Sequence, residues 1–384
     1  MKRILIILRR LHHGGIETAS INLANALADQ GHEVHLWVLR GEARMHPAPN
    51  VHLHQGQDIE REARQYGTGL LMHLLNRALL RFLFRGSHFV WLGRTTSRVA
   101  QRKVAEMEAR YGRFDQIIVR GQGAFELLWD WRDPRIWQVV EGTMLKLCRY
   151  RWQAWFSRLL FQDKQVVCVS EGLASTLQLF LNETGVTTAR TEIIYNGLPL
   201  QCIREQAAGP AQPAFSSPYL VHVGRLVPVK NQALLLRAYQ ESGLTCPLVI
   251  IGDGSERAAL ESLSAELGLN DRVSFLGHRD NPYPWVARAS AFVLSSSFEG
   301  LGMVLLESLA CGTQVVATEV PGGIREILVG EQRRLLAEPT PTALAAKMCE
   351  ALSDPVIPDA TWLTRFDDRK LAQRYLELDS PSHD

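Results

Sequence analysis

Short apolar runs, each closed by glycine or small polar residues, recur along the chain, and between them apolar residues return every three or four positions. KRILIIL is a continuous apolar run of the kind a strand buried on both faces requires. HHGG (His12 to Gly15) follows, and then IETASINLANALADQG, whose apolar residues keep a helical spacing until Gly31 stops it. HEVHLWVL, FDQIIVRG, IWQVVEG and QVVCVSEG read as further strands, and TEIIYNGLP closes this half. Strand and helix in alternation predict a parallel sheet with right-handed crossovers.

Residues 201–217 (QCIREQAAGPAQPAFSS) show no period and read as a linker. The alternation then restarts. PYLVHVGRL, CPLVIIGDG, VSFLG, AFVLSSS and QVVATEV are strands, with helices over NQALLLRAYQES, ERAALESLSAELG, PYPWVARA and GMVLLESLACG and another starting near PGGIREIL. The expected fold class is α/β, with two Rossmann-like doubly wound domains in tandem. The tail has helical spacing at Phe366, Leu371, Tyr375 and Leu378. A length of 384 residues fits two cores rather than one. If the two sheets face each other, a central cleft between them is the natural home for two substrates.

Composition adds exclusions. The hydrophobic share of 46% and charged share of 21% are those of a folded globular chain. No apolar run is long enough to span a bilayer. The start, MKRILIILRR, breaks its apolar run at Arg9 and Arg10 without a cleavage-site pattern, so it reads as a first strand rather than a leader, and a cytoplasmic protein is expected. The six cysteines form no CxxC pair, which suggests neither a disulfide framework nor a zinc site. His12 and His13 are adjacent and lack a third ligand, so no metal is expected there; His13 reads as an acceptor or phosphate contact. The net charge of +2 is unevenly shared, since residues 1–198 hold 26 Lys/Arg against 18 Asp/Glu. That bias points to an acidic partner for the first half, and charge alone leaves nucleic acid, an anionic membrane surface and an anionic acceptor open; the partner expected is an anionic acceptor or membrane surface, with no nucleic acid.

The candidate chemistry lies at strand ends of the second half. In SSSFEGLGMVLLE, Glu299 follows a strand, Gly300 and Gly302 allow close backbone approach, and a helix starts near Met303. The unpaired amides of such a helix start favour phosphate. Glu307 lies about a turn further on, and an acid beside a phosphate site suits neutral hydroxyls. The pattern therefore fits a nucleotide sugar, with phosphates at the helix end and one acid toward each sugar. A bare pair of acids at this spacing is more often two ordinary loop and surface carboxylates. GRLVPVKN shifts the balance, because Arg225 and Lys230 at a neighbouring strand end can reach a diphosphate. Asn231 is placed to cap the next helix. IGDG, FLGH (with Gly277) and PGGIREI add further strand-end turns.

These stretches, with HHGG, VCVSEGL and IIYNGL in order along most of the chain, resemble the retaining glycosyltransferases of family 4, which have the GT-B fold. The resemblance implies an acceptor-binding domain over 1–199, a nucleotide-sugar-binding domain over 200–363, and a final helix over 364–384 that returns to the first domain. It implies catalytic roles for Glu299, Arg225 and Lys230, with Glu307 on the ribose and Glu299 on the donor sugar. The amides of Gly302 and Met303 would assist the cations, and Gly224, Gly277, Gly300 and Leu301 would complete the donor site. Gly15 would lie beside the diphosphate. One position departs from the family, where many members carry a histidine and this chain has Glu141 after VVEG's strand. Glu141 is either an acceptor contact or a strand-end acid turned to solvent.

The expected activity is transfer of a sugar from a nucleotide-diphosphate sugar, with UDP favoured on family habit. The acceptor would be a glycan or a lipid-linked glycan in lipopolysaccharide or other cell-surface polysaccharide synthesis. No cofactor and no metal are expected, and no Asp-x-Asp occurs. An epimerase of the same shape is the alternative. A dinucleotide oxidoreductase would need a GxGxxG spacing that HHGGIE lacks. Residues 69–86 (His73, Arg77, Arg81, Arg85) and 144–161 (Lys146, Arg149, Arg151, Arg158, with Trp152, Trp155 and Phe156) mix cations with apolar residues. They read either as peripheral membrane contacts or as core-packed helices with a solvated stripe.

Overall fold

A computed structural model gives the fold of the chain and describes it apart from residues 13, 66, 81–83, 85–87, 143–151, 216–217 and 379–384, and the side chains of 67–69, 77 and 88. The chain divides into two compact units. One comprises Met1–Gly197 with Asp368–Asp384, and the other Leu198–Asp367.

The first unit is built on a seven-stranded parallel sheet in the order β3-β2-β1-β4-β5-β6-β7. Its strands are β1 (Arg3–Leu8), β2 (Glu33–Val38), β3 (Val51–His54), β4 (Gln116–Arg120), β5 (Ile136–Val140), β6 (Gln165–Cys168) and β7 (Arg190–Ile193). The central strands β1, β4 and β5 are buried almost throughout, as expected when crossover helices cover both faces. The helix Asp368–Leu376 belongs to this unit. Leu371, Ala372, Tyr375 and Leu376 fall on one face and are buried. Its end is tied down by Gln116 Nε2 donating to the Tyr375 carbonyl at 3.0 Å and by Lys2 Nζ donating to that of Leu376 at 2.5 Å.

The second unit holds a six-stranded sheet in the order β10-β9-β8-β11-β12-β13. Its strands are β8 (Leu220–Val223), β9 (Leu248–Ile251), β10 (Val273–Gly277), β11 (Ala291–Leu294), β12 (Val315–Thr318) and β13 (Leu336–Ala337). Leu235, Leu248, Ile250, Val293 and Val316 form the centre of its core, each fully buried. The strand order reverses between β8 and β11, which pair in parallel with Ala291 opposite Leu220. In a doubly wound sheet that reversal opens a crevice at the carboxyl ends of the two strands.

Two local readings differ from the sequence expectation. The segment read as linker contains a helix, Leu200–Ala207, whose buried face is only Ile203 and Ala207. Asn231 opens the helix Gln232–Glu241 with φ of 48° in the left-handed region, and its side chain makes no capping bond.

Candidate functional site

The turn after β8 and the loop after β11 both lie at this reversal point. The loop after β8 is fastened to the serines that follow β11. Ser295 Oγ donates to the Lys230 carbonyl at 3.0 Å, and Ser297 donates to the Val229 carbonyl through its amide at 2.9 Å and its hydroxyl at 3.1 Å. This seam sets Lys230 against Glu299, with Nζ 2.6 Å from Oε1. Ser296 Oγ donates to the same carboxylate oxygen at 2.6 Å. Glu299 is buried, and its backbone is held by a bridge to Gly322. A Cβ at Gly322, where φ is 118°, would fall 1.6 Å from the Glu299 carbonyl oxygen, so only glycine allows this approach.

Gly302, with φ of 92°, turns the chain into the helix Met303–Ala310. No side chain caps that start, so its first amides remain available to an anion. Glu307 lies on the same helix. Its carboxyl is crowded by protein atoms and pushed up to about 7, with the Lys230 charge opposing the shift. Burial and the nearby Glu307 charge keep the Cys311 thiol protonated, at about 12, and raise the Tyr283 phenol as well. Arg225 is exposed just past β8, and Gly224 precedes it. Leu301 is buried at 3% exposure, so its side chain belongs to the core, while Gly300 accepts from the Gly323 amide at 3.1 Å. Gly277 ends β10, and its carbonyl accepts from Gly252 at 2.9 Å.

A supporting network escaped the sequence reading. His222, in the middle of β8, is fully buried, and burial lowers it to about 4, so the ring is neutral. Its Nδ1–H therefore donates to the Val293 carbonyl at 2.8 Å, and Nε2 accepts from Gln232 Nε2 at 3.1 Å. Gln232 also donates to the Arg225 carbonyl at 3.0 Å. This chain of bonds fixes the turn that carries Arg225. The visible signal was a histidine inside the apolar run LVHV.

The structure thus gathers Gly224, Arg225, Lys230, Glu299, Gly300, Gly302, Met303 and Glu307 on strand ends of one sheet in the second unit. Gly277 and Leu301 also belong to the second unit, and the other sequence candidates lie in the first. Gly15 is exposed at the start of the helix Gly15–Asp29, and an added Cβ there would meet nothing within 4 Å. His13 lies outside the described residues. Glu141 does not face solvent: its side chain is 3% exposed and paired with Arg120 at 2.9 Å, and Asn196 Nδ2 donates to its other oxygen at 3.3 Å. Burial opposes the charge on Arg120, but Glu141 outweighs it and holds the guanidinium charged. Among the described residues, Glu33, His35 and His52 bring potential metal ligands together. Glu33 is already engaged by Arg3 at 2.8 Å and His35 at 3.1 Å, which reads as a satisfied structural cluster.

Two parallel doubly wound units with a phosphate-suited strand-end site define a GT-B-type architecture, and comparison with known proteins agrees. HepE from Anabaena in complex with UDP and glucose superposes with a TM-score of 0.68 at 18% identity, covering 98% of each chain. The lipopolysaccharide outer core galactosyltransferase WaaB in its apo form does so with a TM-score of 0.62 at 18% identity, again over 98% of each chain. Residues 13–201 match the model of Glycosyltransferase Family 4, and residues 210–364 that of Glycosyl transferases group 1. The chain belongs to the family 4, group 1 glycosyltransferases. Among curated relatives, the N-acetylgalactosamine-N,N'-diacetylbacillosaminyl-diphospho-undecaprenol 4-alpha-N-acetylgalactosaminyltransferase of Campylobacter jejuni is 36% identical over 162 residues, 42% of this chain and 44% of that protein. The lipopolysaccharide core biosynthesis glycosyltransferase LpsD of Rhizobium meliloti is 35% identical over 167 residues, 41% of this chain and 48% of that protein. The chain thus matches less than half the length of these curated relatives.

Proposed function

We propose that the protein transfers a sugar, with retention at the anomeric carbon, from a nucleotide-diphosphate sugar to a glycan or lipid-linked glycan of the cell surface. The observation that carries this reading is the convergence of Lys230, Arg225 and the uncapped helix start at Gly302 on one strand-end crevice, with Glu299 and Glu307 on the flanks. Cations and amides at that point favour a diphosphate and stabilise the charge it gains as the glycosidic bond breaks. Glu299 is proposed to meet the donor sugar and Glu307 the ribose hydroxyls. UDP is the favoured base because a solved relative of the same fold holds UDP and glucose. Lipid-linked and lipopolysaccharide acceptors are favoured by the names of the curated relatives, which also weigh against an epimerase.

In this reading the departing phosphate oxygen takes the acceptor's proton on the same face, and the two strand-end cations carry out the electrostatic work without a metal. The test is to incubate the enzyme with a panel of UDP-sugars, each with and without candidate acceptors. Acceptor-dependent UDP release is expected, unchanged by EDTA, giving a product whose anomeric configuration by NMR equals that of the donor. Altered sugar nucleotide formed without acceptor would support the epimerase instead.

Glu307 supplies a pH-dependent prediction. Its free-enzyme carboxyl is raised to about 7, and a ribose diol is held best by the ionised form, which accepts from both hydroxyls. Binding then favours the deprotonated site, so donor affinity should rise as pH increases through about 7 and level off above it. Glu307→Gln should flatten this profile and weaken binding at high pH about 10–100-fold, consistent with lost charge-assisted bonds. Calorimetric titration with UDP across that range reads the effect directly.

A further inference from the structure

The segment 70–79 of the first unit turns its polarity inside out. Leu70, Leu71, Met72, Leu74, Leu75 and Leu79 are 37–60% exposed, while Asn76 among them is buried at 6%. A helix facing water shows the reverse. Other exposed large apolar side chains among the described residues are scattered, at Met1, Leu179, Val229 and Ile357, which is ordinary.

A partly buried aromatic cluster adjoins this segment. Phe84 packs on Trp152 with ring centroids 5.1 Å apart, and Trp91 on Trp155 at 6.0 Å. The contact between Phe84 and Trp152 joins the two basic, aromatic-bearing stretches that stand out in the sequence. Tryptophan combines an apolar body with an N–H and favours a boundary between oil and water. Residues 66–105 contain seven Lys/Arg and no Asp/Glu, although Arg94 lies 3.7 Å from Asp130 and both Arg102 and Lys103 pair with Glu62 from outside that stretch. Arg98 and Arg158 are exposed, as is Arg94 beside its partner Asp130.

We propose that this face seats the enzyme on an anionic lipid bilayer. The leucines enter the acyl boundary, the tryptophans lie at headgroup level, and the cations meet lipid phosphates. A second copy of the chain would also cover the leucines, but it would bring two net-cationic stretches together, and this like-charge repulsion favours the bilayer. No described helix is long and apolar enough to cross a membrane, so the contact is peripheral. The inference deepens the functional reading by naming how the enzyme would reach a lipid-linked acceptor, and it uses no residue of the donor site.

Cosedimentation tests it, with vesicles of phosphatidylcholine and vesicles of equal parts phosphatidylcholine and phosphatidylglycerol. Binding is expected to the anionic vesicles at low salt, with a blue shift in tryptophan emission, and to weaken as salt rises. The paired change Leu71→Glu and Leu74→Glu is expected to reduce vesicle binding about tenfold or more, leaving the thermal midpoint and UDP binding unchanged. Because the sites are exposed, the milder Leu74→Gln provides a second variant with a smaller loss. The inference is overturned by absence of binding to anionic vesicles at low salt, or by binding that ignores both variants. Concentration-dependent dimerisation that the substitutions abolish, without vesicle binding, would assign the face to a second copy. Loss of UDP binding alone would count against the donor site and leave this inference standing.

Discussion

Lys230→Ala is expected to lower kcat/KM about 10²–10³-fold, with most of the loss in kcat, the size seen when one preorganised charge stabiliser is removed. The ammonium lies in a shielded place, with the Lys230 and Glu299 side chains 19% and 10% exposed. In the proposed function a cation there meets the donor diphosphate in a poorly solvated setting, where charge acts more strongly than in water. The phosphate gains charge as the glycosidic bond breaks, so the interaction is stronger in the transition state than in the bound donor, and the loss falls on the chemical step. The variant also leaves Glu299 without its cation, although Ser296 still donates to it at 2.6 Å. Some loss of thermal stability is therefore expected, and comparing kinetics well below the melting transition separates the two effects. Lys230→Arg keeps the charge but replaces a compact ammonium with a planar fork. Ser295 and Ser297 pin the loop through the carbonyls of Lys230 and Val229, which leaves little slack for a larger group. Partial rescue is expected. Lys230→Ala turning over within about threefold of wild type would remove this cation from the mechanism, since that is well under 1.4 kcal/mol.

What the sequence revealed and what it hid follow from the range of the interactions. Central parallel strands are buried on both faces, so β1, β4 and β11 stand out as apolar runs. The edge strand β3 (VHLH) is only partly buried and shows no such run. The helix Leu200–Ala207 was hidden because only Ile203 and Ala207 mark its buried face within a stretch of Gln, Ala and Pro. At the site, Glu299, Lys230 and Gly302 were legible because a strand end followed by glycine and a helix start is a local pattern with a physical reason. The His222–Gln232–Arg225 chain was not, because it depends on a buried ring bridging β8 to the following helix, and burial is a property of the fold. Asn231 had the composition of a cap, but its left-handed backbone aims the side chain elsewhere.

Glu141 is the sharpest case, and it yields the second large expected effect. The sequence left it between an acceptor contact and a solvent-facing acid. The structure instead commits both its oxygens within the first unit, to Arg120 at 2.9 Å and Asn196 at 3.3 Å. Arg120 is 1% exposed and gives its other donors to Asn196 Oδ1 at 2.6 Å and the Ala19 carbonyl at 3.4 Å. Asn196 lies next to Gly197, the last residue before the chain enters the second unit. Glu141→Ala therefore strands a buried guanidinium, and a destabilisation of about 3–5 kcal/mol is expected, because removing one partner of a buried pair leaves the other charge uncompensated. Differential scanning calorimetry should show the transition of the first unit lowered. UDP binding, which the proposed function assigns to residues of the second unit, should persist below that transition. Joint replacement of Arg120 by Met and Glu141 by Leu removes both charges and should recover much of the lost stability. Glu141→Gln separates structure from chemistry. Its amide oxygen can still accept from Arg120, so the fold should hold with a smaller loss, while a carboxylate needed by the acceptor would be missing. Near-normal turnover in that variant would mark Glu141 as an organiser of the first unit's strand ends, and a collapse of kcat with the fold intact would return it to the acceptor site.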